Sequence, residues 1–200
     1  TASSGPLKAA WIYPSPSADE GWSKQHDESR QLIQKQFGDK IKTQFVENVT
    51  TMADAERVIR DLASQGNKII FATSFEFMNP ALKVAKEFPD VKFEHCTGYN
   101  TADNFSYYNA RFYQARYLAG KLAASMSKDG HLGYVAAVPI PEVLQGINAY
   151  TLGAQTINPN VKVDVVWTNT WYDPGKEADA TNTLIGQGCD IITHHTNSQA

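Results

Sequence analysis

Residues 130–153 read GHLGYVAAVPIPEVLQGINAYTLG, and this stretch decides the fold. Its first part, residues 131–138, is a short apolar run opened by glycine and closed by prolines, which is typical of a buried strand. Pro139 and Pro141 end that strand because proline has no N–H to donate to a sheet. Apolar residues at helical spacing follow, so the stretch predicts a strand, a proline loop and a helix.

The same order of parts opens the chain, with an apolar run at residues 7–13 and then Pro14-Ser15-Pro16. Later parts recur at one constant shift of 122 positions: Gly66, Ile69 and Ile70 match Gly188, Ile191 and Ile192. This repetition indicates a duplicated α/β unit with parallel sheets and helices on both faces. We therefore predict two lobes, residues 1–128 and 129–200, each with its own sheet and its first strand placed centrally. The second lobe stops before its pattern is complete, so we expect the native protein to be longer.

Hydrophobic periodicity predicts the individual elements. The predicted strands are 7–13, 41–49, 68–73, 91–96, 131–138, 161–167 and 190–194. The predicted helices are 22–37, 54–65, 81–88, a long one that follows the loop 97–103 and ends near 126, 143–154 and 176–187.

Composition excludes several classes of protein. A net charge of −3 and a pI near 5.9 give no electrostatic reason to expect a nucleic acid or a bilayer as partner. No apolar run is long enough to span a membrane, and no glycine-rich phosphate-binding motif occurs. The small polar start resembles either a mature end after signal-peptide removal or a trimmed chain. Cys96 and Cys189 are predicted to be free, buried thiols.

Ligands of parallel sheets bind outside the carboxyl ends of the strands. That rule selects the loops 14–23, 74–80, 97–103, 139–142, 169–174 and 195–199, three from each lobe, and so predicts a cleft between two lobes. These loops contain aromatic side chains suited to a flat apolar ligand: Trp22, Phe75, Phe77, Tyr99, Trp171 and Tyr172.

Four stretches carry a family resemblance: DEGWS at 19–23, FPDVKF at 88–93, RYLAG at 116–120 and GCDII at 188–192. The chain resembles the basic-membrane-protein-like group of substrate-binding proteins, the purine nucleoside receptors of bacterial ABC transporters. The resemblance implies an α/β, type I periplasmic-binding-protein fold with two Rossmann-like lobes. It also implies a non-catalytic, monomeric, extracytoplasmic or periplasmic protein that needs no cofactor and hands its ligand to a membrane permease.

In this family a purine ring stacks between aromatic rings of the two lobes. Carried onto this chain, the resemblance implies Trp22 in the first lobe, with Phe75 nearby, and Trp171 or Tyr172 in the second. Nucleoside-binding members have Asn-Asp after the first aromatic residue, whereas this chain has Ser23-Lys24. That departure moves the expected ligand from a nucleoside towards a free purine base such as adenine.

The predicted ligand-binding residues are Trp22, Ser23, Phe75, Tyr99, Asn104, Trp171, Asp173 and Asn197. For several of them a structural interpretation stays open. Tyr99 could simply be a surface tyrosine, and Asp173 is most simply a turn or cap residue ahead of the helix at 176. Asn104 and Asn197 could merely cap helices. Trp22 and Trp171 could instead pack on the core. Of Phe75 and Phe77, one is expected to point inward, and Phe75 is chosen as the ligand contact.

Two other functions are weighed. His194 and His195 are neighbours on a strand and point to opposite faces, so no metal site is predicted there. Glu20, Glu76 and Glu142 lie on predicted rim loops and would suit a nucleoside hydrolase with two carboxylates. No nucleophile accompanies them, so an enzyme is the alternative, and a ligand-sensing domain of a receptor or regulator is the other.

Overall fold

A computed structural model describes residues 5–19 and 21–198. Glu20, one of the three predicted rim carboxylates, and the end of the last predicted loop lie outside the described residues. The strands are β1 (Leu7–Ile12), β2 (Ile41–Val46), β3 (Ile69–Ala72), β4 (Lys92–Cys96), β5 (Phe105–Tyr108), β6 (His131–Ala136), β7 (Lys162–Trp167) and β8 (Ile191–His195). The helices are α1 (Trp22–Phe37), α2 (Met52–Ser64), α3 (Met78–Glu87), α4 (Phe112–Met126), α5 (Pro141–Gln155) and α6 (Pro174–Gly186).

The chain forms two compact units, of which the first runs to Asn109 and the second begins at Ala110. This division lies ahead of the boundary between residues 128 and 129 that the sequence suggested. The segment between the two boundaries contains α4, and its buried Ala123 and Ala124 belong to the same apolar cluster as Tyr150 of α5. Packing therefore assigns α4 to the second unit.

Both sheets are parallel throughout, as the strand–helix alternation predicts. The first has the order β2-β1-β3-β4-β5 and the second β7-β6-β8. In each unit the first strand lies between the second and the third, so the two sheets share one arrangement. β6 is central, whereas β1 is second from an edge because β4 and β5 extend its sheet.

β5 replaces the start of the predicted long helix, and that part of the prediction is wrong. The ring of Phe105 is buried and lies 6.0 Å from the ring of His95 on β4. Asn104, predicted as a ligand contact or alternatively a helix cap, does not cap α4: its side-chain amide donates to the carbonyls of Ala85, Phe88 and Val91 at 2.9–3.0 Å. These bonds hold the chain extended, and α4 begins only at Phe112.

Matching glycines end α2 and α6. Gly66 and Gly188 have φ values of +86° and +91°, a left-handed conformation that costs glycine little. The N–H of Gly66 donates to Ala63 and that of Gly188 to Ile185, both at 3.0 Å. Each glycine thus satisfies a carbonyl at the helix end and turns the chain into the next strand.

The first sheet buries apolar side chains on both faces, as β1 shows by its alternation. Ala10 and Ile12 belong to the cluster that contains residues of α2 and α3. Trp11 and Tyr13 belong to a separate cluster that contains Ile33 of α1. The Trp11 ring stacks on Phe71 at 4.5 Å between centroids. Cys96 and Cys189 are buried and form no disulfide, as predicted.

In the second unit, α4 and α5 cross at two glycines. A Cβ atom built on Gly120 would lie 1.9 Å from the carbonyl oxygen of Tyr150, and one built on Gly153 would lie 2.0 Å from that of Tyr117. Each helix therefore presents a glycine to the backbone of the other. No other residue type fits at either position without separating the helices.

We predict that Gly120→Ala lowers the free energy of unfolding by at least about 2 kcal/mol, because the added methyl group has rigid backbone in its way. Gly186→Ala is the matched control: its Cβ would meet nothing within 4 Å. Since alanine favours helix over glycine, that variant should be neutral or more stable by up to about 1 kcal/mol. Urea unfolding measures both stabilities. If the two variants were equally stable, the close approach of the α4 and α5 backbones at Gly120 would be contradicted.

Candidate functional site

At the carboxyl edge of the first sheet, a buried carboxylate organises the start of α1. Asp19 is 2% exposed and accepts hydrogen bonds from the N–H groups of Gly21 (3.1 Å) and Lys24 (2.9 Å). The Ser15 hydroxyl donates to Asp19 at 2.5 Å and lies 2.6 Å from the Ser23 hydroxyl. A negative charge at a helix start satisfies unpaired N–H groups and suits the helix dipole. Ser23 is therefore enclosed in this network, and the structure does not present it at the surface of the edge.

Trp22 is the first residue of α1, and its half-buried ring has a fixed orientation. Its indole N–H donates to the carbonyl of Thr73 at 2.5 Å, directly after β3. The ring lies 5.0 Å from the ring of His26, whose Nδ1 is 2.8 Å from the Trp22 carbonyl oxygen. Burial lowers the pKa of His26 and favours its neutral form. The indole is thus held at two points.

Phe75 and Tyr99 lie in the loops that follow β3 and β4. Phe77 is buried and Phe75 is half-buried, which agrees with the expectation that one of the two points inward. The Phe75 ring is 6.3 Å from that of Tyr99, and Tyr99 is 64% exposed. Asn104, by contrast, precedes β5 and so lies at the strand-start edge of the sheet. The structure brings Phe75 and Tyr99 together and separates Asn104 from them.

The second unit also has a buried carboxylate at a helix start. Glu177 of α6 is 1% exposed and accepts from the N–H groups of Asp173 and Ser198, both at 3.2 Å, and from the Ser198 hydroxyl. Asp173 is the N-cap of α6, because its side chain accepts from the N–H of Lys176 at 3.1 Å. The cap interpretation of Asp173 is confirmed. Glu177 joins the loop after β7 to the loop after β8.

Trp171 and Asn197 belong to those same two loops. The Asn197 N–H donates to the Trp171 carbonyl at 2.9 Å. The Trp171 ring packs against the second unit's apolar cluster and lies 5.9 Å from the ring of His195. Trp171, Asp173 and Asn197, all predicted from the sequence, therefore lie together at one edge.

His195 adds a titratable group beside Trp171. Its Nε2 is 3.9 Å from a carboxylate oxygen of Glu142, and its Nδ1 is buried without a hydrogen-bond partner. Burial, helped by the charge of Arg116 and by His194, lowers the pKa of His195 to about 4. At neutral pH the imidazole is uncharged, so its contact with Glu142 is not an ion pair. His194 is exposed while His195 is half-buried, which agrees with the predicted opposite faces.

The two described rim carboxylates have partners of their own in separate units. Glu76 accepts from the Ser74 hydroxyl at 2.5 Å. Glu142 is in the first turn of α5 and lies beside His195.

Sequence reasoning missed Asp19, Glu177 and His195 as residues that shape the edges. Asp19 could have been found, because an acid just ahead of a helix is a capping signal. Glu177 carries no such signal, since most acids in a first turn are exposed.

We predict that Glu177→Ala lowers the free energy of unfolding by about 3 kcal/mol, because it leaves buried donors without an acceptor. Asp179→Ala is the matched control, an exposed acid on the same helix, and should change stability by less than about 0.5 kcal/mol. Urea unfolding measures both. A Glu177 variant as stable as the Asp179 variant would show that the carboxylate does not hold the loops.

We also predict that stability falls as the pH drops from about 6.5 towards 4. The unfolded chain protonates His195 near its ordinary pKa, whereas the folded chain does not, so the unfolded state binds more protons in that window. At about pH 5 this should cost roughly 2 kcal/mol. His26 and His95 shift in the same direction. Urea unfolding at about pH 6.5 and about pH 5 measures the loss of stability between them. That loss should be smaller for His195→Gln than for the parent, and an equal loss would contradict the assignment.

Comparisons with known proteins agree with this architecture. Residues 7–200 match the Bmp family model, described as ABC transporter substrate-binding protein PnrA-like. A solute-binding protein structure of an ABC transporter system from Aeropyrum pernix K1 superimposes with a TM-score of 0.86 at 19% identity, covering 96% of this chain and 55% of that one. The fold is that of the type I periplasmic binding proteins.

Two curated relatives match over 97% of this chain. A protein of Brucella abortus named purine-binding protein is 59% identical, and the chain covers 55% of it. A protein of Haloferax volcanii named putative ABC transporter glucose-binding protein is 42% identical, and the chain covers 49% of it. The chain thus spans about half the length of these relatives.

The family model that matches describes substrate-binding proteins of ABC transporters, and not hydrolases. Among the helices formed by the described residues, none combines the length and apolarity needed to cross a membrane. The match of residues 7–200 and the parallel α/β architecture lead to one conclusion: the chain belongs to the PnrA-like family of ABC transporter substrate-binding proteins.

Proposed function

We propose that this protein is an extracytoplasmic receptor for a purine, which it delivers to an ABC permease. The observation that carries the ligand class is the 59% identity to a protein named purine-binding protein. Two features of the edges support it. Trp22 and Trp171 offer large aromatic faces after strand ends, and the identified contacts hold each ring in place. Flat apolar ligands suit such rings.

The free base is the ligand we favour over the nucleoside. Ser23 stands where nucleoside-binding members carry asparagine, and its hydroxyl is 0% exposed within the Asp19 network. A buried hydroxyl offers no group for a ribose. The relative's name, purine-binding protein, is compatible with a base.

Ligand contacts in the first unit are assigned to Trp22, Phe75 and Tyr99, and in the second to Trp171, Asp173 and Asn197. Ser23 acts through the network that positions Trp22, and Asn104 acts in the fold of β5. Stacking of one purine between Trp22 and Trp171 stays a prediction. The receptor is proposed to act as a monomer, without a cofactor, and to associate with the membrane through its permease.

Glucose is the competing ligand, because a relative with 42% identity is named for it. Sugars also pack their C–H faces on aromatic rings, so titration with glucose beside the purines, and not mutation of one ring, distinguishes the two classes. The glucose relative also makes a sugar the appropriate counter-ligand in any titration.

We predict that Trp22→Ala weakens purine binding by about thirtyfold, since losing a buried aromatic contact costs about 2 kcal/mol and each 1.4 kcal/mol is tenfold. Trp22→Phe keeps a ring and should lose far less. Phe37→Ala, at the far end of the same helix and 48% exposed, is the matched control and should bind like the parent. Calorimetric titration with adenine, guanine, hypoxanthine and their nucleosides measures these affinities.

Glucose and ribose are titrated in parallel. Tight binding of glucose with none of the purines would overturn the ligand class. Purine binding that is equally tight in Trp22→Ala and the parent would overturn the role of this ring but leave the ligand class standing. Tighter binding of nucleosides than of bases would overturn only the preference for the base.

A further inference from the structure

Three side chains with metal-binding chemistry meet at the strand-start edge of the second sheet, opposite the edge that carries Trp171. His131 opens β6, Asp164 lies on β7 and Cys189 precedes β8. They are far apart in the sequence and form no recognisable spacing motif, so the sequence predicted no metal site here. The parallel pairing of β6 with both neighbours brings them together.

The distances suit a single ion. One possible ligand atom from each side chain lies within 4.8 Å of the others, and His131 Nε2 is 2.7 Å from Asp164 Oδ2. Bonds of about 2.0–2.3 Å in a tetrahedral zinc site place ligand atoms roughly 3.3–3.8 Å apart, so His131 and Asp164 must separate slightly to admit the ion, which small side-chain rotations allow. Thiolate, imidazole and carboxylate are also the ligands that Zn²⁺ prefers.

The backbone holds the cluster in register. The N–H of Asp190 donates to the His131 carbonyl at 3.0 Å, and the N–H of Cys189 donates to Leu184 at 3.0 Å. Gly188 lies directly beside the imidazole, because a Cβ built on it would be 3.6 Å from His131 Nδ1, an ordinary van der Waals contact. Cys189 is thus fixed beside the imidazole by the turn that ends α6.

The cluster is closed on one side and open on the other. Cys189 is buried, while the side chains of His131 and Asp164 are 19% and 24% exposed. Solvent therefore reaches the carboxylate and imidazole, and an ion can enter from there. Lys162 Nζ lies 3.1 Å from Asp164, but its side chain is 66% exposed and can turn away when a cation takes its place.

We propose that His131, Asp164 and Cys189 form a Zn²⁺ site, with water as the fourth ligand. On binding, the Cys189 thiol releases its proton to solvent, and the imidazole stays neutral with its N–H on the nitrogen that does not face the ion. Thiolate and carboxylate together balance the charge of the metal. The ion links β6 and β7 to the turn between α6 and β8, so its role is structural and independent of the proposed purine site.

Calorimetric titration of the purified protein with ZnCl₂ tests the site, and Co²⁺ provides a spectroscopic probe through its thiolate charge-transfer absorption. The parent should bind one Zn²⁺ per chain and show that absorption. Loss of even an outer-shell partner costs roughly 10–100-fold in metal affinity, so Cys189→Ser should lose more than about a hundredfold. Asp164→Asn, at a partly exposed position, should also weaken binding and is the variant to use if Cys189→Ser does not fold.

Cys96→Ser is the matched control, because Cys96 is the chain's other cysteine, is likewise buried outside any disulfide and lies in the first unit. It should retain Zn²⁺ affinity and the cobalt band. Mg²⁺, a hard cation that avoids thiolates, should neither bind nor shift the melting temperature. The proposal is overturned if the parent shows no thiolate–cobalt absorption, if Cys189→Ser binds Zn²⁺ as tightly as the parent, or if Cys96→Ser abolishes the band.

Discussion

The second unit depends on the contact between the backbones of α4 and α5. Gly120 and Gly153 remove the two side chains that would keep these helices apart. With the helices this close, Arg116 of α4 reaches the His194 carbonyl at 2.9 Å and places its charge near His195. Burial lowers the pKa of His195 most, and this packing adds the charge of Arg116 to that effect. The position of α4 therefore affects the candidate site through Arg116.

The two units solve the same physical problem with different residues. Each has backbone N–H groups, near the ends of its strands, that donate to a buried carboxylate. In the first unit Asp19 supplies the acceptor from before its helix, and in the second Glu177 supplies it from within the first turn of α6. Each unit ends a helix with a left-handed glycine, Gly66 or Gly188. The repeat therefore conserves the arrangement of strands and the need for buried acceptors, but not the side chains that meet it.

Sequence reasoning recovered the features that depend on local pattern. The parallel sheets, the central place of β6 and the burial of Cys96 and Cys189 agree with what periodicity and composition predicted. β5 was missed because Asn104 and Phe105 are held by contacts with distant parts of the chain, which no local pattern encodes. The carboxyl-edge rule selected Trp22 and Trp171 correctly as edge residues. It could not show that Ser23 is buried, since its burial depends on the hydrogen bonds that join it to Ser15 and Asp19.

The pairing of each edge tryptophan with a histidine has an optical consequence. Trp22 lies 5.0 Å from His26, and Trp171 lies 5.9 Å from His195. Imidazolium quenches indole emission by contact, whereas neutral imidazole does so weakly. Because burial lowers the pKa of both histidines, both imidazoles are neutral near pH 7 and quench the neighbouring indoles only weakly. Each edge of the sheets therefore contains its own fluorescent reporter, whose brightness is set by the polarity of the protein around one imidazole ring.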